Sequence, residues 1–127
     1  MAEISEQLLI CEYISTNYPS IVFTSDFSGI RLSIGLAKKV KNLKSGRGIP
    51  DLIILKPFEL EGKLYYGLLI ELKKSGTEIY KKDGSLRKSE HLEEQNLMLE
   101  ILRKEGYYAT FSIGYNDTID LIDKCYG

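Results

Sequence analysis

The chain has 127 residues, 43% hydrophobic and 28% charged, which suits one globular domain over residues 1–127 with a core that needs no staples. It has no run of 18 apolar residues, no basic stretch at its amino-terminus, two distant cysteines (Cys11, Cys125) and a single histidine, His91. Membrane spans, a secretory signal, a disulfide scaffold and a Cys/His zinc site are thereby set aside, and a cytoplasmic location is expected. The net charge of −1 hides an asymmetry: residues 31–88 carry 14 Lys/Arg against 6 Asp/Glu, the remainder 3 against 12. That balance suits a polyanionic partner such as nucleic acid, or a solvated face countered by the acidic ends.

The first predicted element is a helix over 2–16, its apolar stripe drawn by Ile4, Leu8, Cys11 and Tyr13/Ile14. Tyr18-Pro19 ends it, because proline cannot continue a helix. Ile21–Thr24 reads as a strand, and residues 26–33 as an irregular stretch. A basic helix is expected over 34–44, with Leu36, Val40 and Leu43 apolar, followed by the turn Ser45-Gly46-Arg47-Gly48. Residues 49–56 read as a short buried strand with Pro50 at its start, where proline is tolerated. A hairpin connection at 58–63 leads into one long strand, Leu64–Lys73. Residues 75–88, with two glycines and many charges, read as a long flexible loop. Ser89 caps a helix over about 90–105, with Gly106 as its stop. A strand over 107–112 and a last helix capped by Asn116 or Asp117 complete an α/β order with a central sheet.

Three charged residues sit oddly for a core. Asp51 opens one apolar strand, and Glu71 and Lys73 close the next. Residues i and i+2 of a strand share a face, so Glu71 and Lys73 point the same way. In an antiparallel hairpin the start of the first strand lies beside the end of the second, which brings Asp51 to Glu71. Two carboxylates at short range repel unless a cation lies between them. A divalent metal such as Mg²⁺ resolves this, and the carbonyl of Leu72 can add a further oxygen. Lys73 then holds a water or a phosphate as a compact point charge. The alternative is a structural carboxylate–lysine ion pair at a strand end.

Gly48-Ile49-Pro50-Asp51, a hairpin, then Glu71-Leu72-Lys73 resembles the PD-(D/E)xK signature of metal-dependent nucleases. Glu3-Ile4-Ser5-Glu6-Gln7, Tyr18-Pro19, Gln95 and Gly106-Tyr107 extend the likeness along the chain. Their order is similar to the virus-type replication-repair nuclease (VRR-NUC) branch, in particular its small stand-alone phage and prophage members. The resemblance implies a restriction-endonuclease-like core, a central mixed β-sheet flanked by α-helices. It implies that Asp51 and Glu71 bind metal with Glu3, that Lys73 is the catalytic lysine, and that Gln95 and Gln7 line the active site, with Gly48 in the approach to Asp51. Glu6 is a competitor for the role of Glu3. The implied activity is Mg²⁺- or Mn²⁺-dependent cleavage of DNA phosphodiesters, leaving 5′-phosphate and 3′-hydroxyl ends. Homodimers and branched substrates such as four-way junctions are implied too.

Lys38, Lys41, Lys44 and Arg47 on the basic helix and turn, and Lys74, Lys81, Lys82, Arg87 and Lys88 after the second strand, are the expected phosphate contacts. Tyr65, Tyr66, Tyr80, Tyr107 and Tyr108 lie near the same surfaces. His91, among glutamates on a first helical turn, is expected to be a solvated surface residue. A DNA- or partner-binding module without catalysis on the same fold is the competing reading.

Overall fold

The computed structural model describes residues 3–26 and 48–127, with the backbone alone for residues 3–5. The basic helix expected over 34–44, and with it Lys38, Lys41, Lys44 and Arg47, lies outside the described residues.

Helix α1 spans Glu3–Asn17. Its inward face carries Glu6, Gln7, Ile10 and Ile14, while Leu8 is 54% exposed. The expected stripe through Leu8 is therefore rotated. Helical spacing alone admits both faces, and polar partners in the interior let Glu6 and Gln7 take the buried one. After the Tyr18-Pro19 stop, strand β1 covers Phe23–Ser25, two residues later than expected. Strand β2 is Leu52–Ile54, with Leu52 and Ile54 fully buried.

The stretch 58–63, expected to be the turn of a hairpin between two longer strands, forms with residues 64–65 a short hairpin of its own. Strands β3 (Phe58–Leu60) and β4 (Lys63–Tyr65) pair antiparallel. Their turn residues Glu61 and Gly62 have φ of 52° and 78°, as a type I′ turn requires. Strand β5 (Leu68–Lys73) is consequently shorter than the single strand expected over 64–73. The break falls at Tyr66-Gly67, where the amide of Tyr66 donates to the carbonyl of Gly106 at 2.9 Å. A Cβ at Gly67 would lie 2.6 Å from the carbonyl oxygen of Ile54, so only glycine lets the chain pass there.

Helix α2 spans Glu90–Lys104, with Ser89 as its N-cap as expected. Gly106, at φ 101°, ends it. The amide of Gly106 donates to Arg103 and that of Tyr107 to Leu102, the paired bonds of a Schellman stop. Strand β6 is Tyr108–Ile113 and helix α3 is Gly114–Tyr126.

The main sheet has the order β1-β2-β5-β6. β5 and β6 are parallel, joined across α2, and the other neighbours are antiparallel. This is the mixed α/β architecture expected, with a central mixed sheet between helices. Leu52, Ile54, Leu68, Ile70 and Leu72 face Ile10 and Ile14 of α1 and Ile119 and Ile122 of α3. Leu69, Ala109 and Phe111 form the opposite face with Leu99 of α2 and with Ile79. Each such aliphatic side chain contributes roughly 1.5–3 kcal/mol by leaving water. The β3–β4 hairpin closes the first core through Phe58, whose ring meets Tyr65 and Tyr126 at 5.3 and 5.1 Å. Tyr65 and Tyr108 are thus packing residues, 5.2 Å from each other. Both cysteines are free thiols, and no described helix is long and apolar enough to cross a membrane.

Candidate active site

The register of β2 on β5 decides where the charged residues meet. Leu52 pairs with Ile70 and Ile54 with Leu68, so Asp51 and Glu71 stand one step further on at the same sheet end. Alternation then sets their face. Leu52, Ile54, Ile70 and Leu72 point to α1 and α3, so Asp51, Glu71 and Lys73 belong to the face covered by α2.

Asp51 is fixed from both sides. Pro50 is fully buried before it. Its carbonyl accepts from the amide of Asp26 at 2.6 Å and from Ser25 Oγ at 3.2 Å. Its carboxylate Oδ2 accepts the amide hydrogen of Leu72 at 3.0 Å. The side chain therefore reaches across the strand pair to the residue between Glu71 and Lys73.

Gln95 joins the other two. Its Oε1 accepts from Lys73 Nζ at 2.7 Å, and its Nε2 donates to Glu71 Oε1 at 2.9 Å. The amide lies between a donor and an acceptor, so only one orientation satisfies both. Lys73 Nζ also sits 5.8 Å from the centre of the Phe111 ring, within cation–π range. Glu71 is 9% exposed. The amide of Gln95 thus bridges the ammonium of Lys73 and the carboxylate of Glu71.

The residues implied by the resemblance divide. Asp51, Glu71, Lys73 and Gln95 come together. Gln7 lies behind Asp51, donating from Nε2 to Ser25 Oγ at 2.7 Å and to the carbonyl of Asp26 at 2.9 Å. It braces the end of β1. The side chain of Glu3 lies outside the described residues. Glu6 is engaged elsewhere: it accepts from Ser75 N and Tyr115 N, both at 2.9 Å, and from Ser75 Oγ at 2.5 Å. Burial pushes its pKa up, but these hydrogen bonds outweigh that and hold it below the ordinary 4.5. Gly48 lies in open space. Among the basic residues, Lys74, Lys81, Lys82 and Lys88 are exposed, and Arg87 pairs with Glu78 at 2.6 Å. His91 is exposed on the first turn of α2, as expected.

Two contributors escaped the sequence reading. Phe111 lies under the lysine, a place that the alternation of Ala109 and Phe111 on one face of β6 would have indicated. Ser75 anchors the chain just past Lys73, and no local pattern marks it.

The donor set at this strand end consists of carboxylate and carbonyl oxygens, the ligand type of hard cations. Among the described residues no three His, Cys, Asp or Glu side chains cluster closely enough to hold a metal by themselves. A site here would use Asp51, Glu71 and the Leu72 carbonyl, with waters or a further acid, which fits Mg²⁺, a cation that usually keeps several waters.

No family model matches the chain, and no curated protein matches it. A solved structure named VRR_NUC domain protein superposes on it with a TM-score of 0.66 over 99% of this chain and 88% of that one, at 23% identity. The chain has the fold of that VRR-NUC domain, as the order of its motifs implied.

Proposed function

We propose that this VRR-NUC-type fold is a metal-dependent DNA endonuclease acting on branched or duplex DNA. The observation that supports it best is the Asp51–Leu72 and Glu71–Gln95–Lys73 bonding at one strand end. The name of the structural neighbour, VRR_NUC domain protein, agrees with that reading.

Asp51, Glu71 and the Leu72 carbonyl, joined by Glu3, would hold Mg²⁺ or Mn²⁺. A divalent cation bound there supplies charge stabilisation at the phosphate and a more acidic water. Lys73, with three donors on a compact ammonium, orients the attacking water against the scissile phosphate. Gln95 fixes the position of that ammonium. Asp51, tied to the Leu72 amide, keeps its carboxylate at the strand end. The described site contains no histidine, so proton handling falls to Lys73 and solvent. Products carry 5′-phosphate and 3′-hydroxyl ends.

Lys74, Lys81, Lys82 and Lys88, with Arg87 and the basic residues Lys38, Lys41, Lys44 and Arg47, supply phosphate contacts along the DNA. Gln7 braces the Asp51 end, and Gly48 gives the chain an unhindered approach to it. A homodimer with two-fold symmetry lets two such sites act on two strands. The setting is the cytoplasm of a bacterial host, in phage replication or repair, as one domain over 1–127.

The experiment is cleavage of a synthetic four-way junction and of linear duplex with Mg²⁺, Mn²⁺ or EDTA, beside Asp51→Ala and Lys73→Ala. Metal-dependent cutting lost in both variants supports the nuclease. Binding without cutting under every metal leaves a non-catalytic DNA-binding module as the better account.

A further inference from the structure

Of residues 75–88, expected to be a long flexible loop, 77–88 are folded into a tongue beside the site. Ile79 is 1% exposed and packs with Leu69, Leu99 and Phe111. Tyr80 and Leu86 form an antiparallel bridge. The backbone amide of Lys81 donates to the Ser85 carbonyl at 2.7 Å, that of Gly84 to the Lys81 carbonyl at 2.9 Å, and that of Arg87 to the Ile79 carbonyl at 2.9 Å. Asp83 Oδ1 closes the tip by accepting from Ser85 N and Oγ at 2.9 and 2.6 Å.

The root of this tongue touches the site through one side chain. Ile79 shares its cluster with Phe111, and Lys73 Nζ lies over the Phe111 ring. The tongue therefore rises on the same sheet face as Glu71, Lys73 and Gln95. Outward it presents Tyr80, 47% exposed, followed by exposed Lys81 and Lys82, while the exposed acids on either side, Glu78 and Asp83, are engaged by Arg87 and by Ser85. The Tyr80 ring makes no ring–ring contact with the described aromatics. An exposed ring on a hydrogen-bonded backbone, next to two cations, is an arrangement by which proteins stack an unpaired base and hold its flanking phosphates. Both faces of a base inside a duplex are covered by its stacked neighbours, whereas an unpaired base in a single-stranded arm can turn a face to such a ring.

We infer that Tyr80 is a specificity-determining residue that stacks on an unpaired nucleobase of the bound DNA, with Lys81 and Lys82 on the adjoining backbone. This rests on the nuclease reading of the site but names a residue and a contact that reading does not contain.

The test uses the full chain and two DNAs of equal length, a blunt duplex and a splayed-arm duplex with 2-aminopurine at successive unpaired positions. Binding is measured in EDTA and cleavage separately in Mg²⁺. The expected result is quenching at one or two arm positions near the branch. Tyr80→Ala abolishes it and weakens splayed-arm binding about 10-fold, the scale of a lost base–aromatic stack, with blunt-duplex binding unchanged. Tyr80→Phe retains both. A double Lys81→Ala, Lys82→Ala variant weakens both DNAs and flattens the salt dependence. Tyr80→Ala weakening both DNAs equally, or neither, overturns the inference. If the wild type cuts splayed-arm DNA and Tyr80→Ala cuts it equally well, the Tyr80 contact fails and the nuclease stands. If quenching occurs and depends on Tyr80 but no metal supports cutting, the nuclease fails and the contact stands. Absence of any DNA binding overturns both.

Discussion

Glu6 of α1 accepts the amide and hydroxyl hydrogens of Ser75, two residues beyond Lys73. The same carboxylate accepts the amide of Tyr115 at the start of α3, whose N-cap residue, Ile113, offers no side-chain cap. One buried acid thus supplies a helix cap from another helix and ties down the strand end that carries the site.

Glu6→Gln is therefore expected to lose about 1–3 kcal/mol at pH 7, because an amide nitrogen replaces an acceptor that faces backbone donors. The folded-state pKa of Glu6 is lowered from 4.5, by hydrogen bonds that overcome burial. Its stabilisation is complete above 4.5 and is lost as pH falls through the lower folded value. Urea unfolding of both proteins at pH 7 and near pH 3 checks this. The gap between them is expected to shrink at the acid end, and a gap that widens on acidification would refute the role.

Gln95 bridges Lys73 and Glu71 by accepting from one and donating to the other. Gln95→Leu removes that bridge and lets the ammonium shift. Misplacement of a positioned group by about 1 Å is worth on the order of 100-fold in rate. Single-turnover cleavage is expected to slow by about 10- to 100-fold with DNA binding unchanged, since Gln95 is only half-buried and touches no DNA in this account.

The glycines before and between the strands are expected to behave oppositely. A Cβ at Gly67 meets the backbone oxygen of Ile54 at 2.6 Å, and backbone cannot step aside. Gly67→Ala is expected to cost about 1–3 kcal/mol. A Cβ at Gly48 meets nothing within 4 Å, so Gly48→Ala stays within about 0.5 kcal/mol of wild type. Thermal unfolding of the pair measures the contrast.

The placement of Asp51, Glu71 and Lys73 was legible because each step needed only strand alternation and antiparallel order. The Ser89 and Gly106 ends of α2 were legible because caps are local chemistry. The start of α3 reads from sequence as Asn116 or Asp117, but it lies at Gly114, because part of its cap comes from Glu6, 109 residues away. The β3–β4 hairpin leaves no mark in the sequence pattern, because three-residue strands are too short to show a period. Apolar spacing on α1 fits two faces, so Leu8 reads as core from sequence, and the buried partners of Glu6 and Gln7 that choose between the faces are tertiary. The 75–88 stretch reads as loop from its glycines and charges, yet Ile79 anchors it.

Asp51→Asn gives the most direct test of the central claim, that the Asp51 carboxylate serves chemistry as well as structure. Asparagine keeps an acceptor for the Leu72 amide but removes the charge that a metal requires. The measurement is cleavage of four-way junction and linear DNA in Mg²⁺ and in EDTA, with urea unfolding of both proteins. The account predicts metal-dependent cutting by the wild type, a loss of at least about 100-fold in Asp51→Asn, and stability within about 1 kcal/mol. Undiminished cutting by Asp51→Asn, or no cutting by the wild type with any divalent metal, would contradict it.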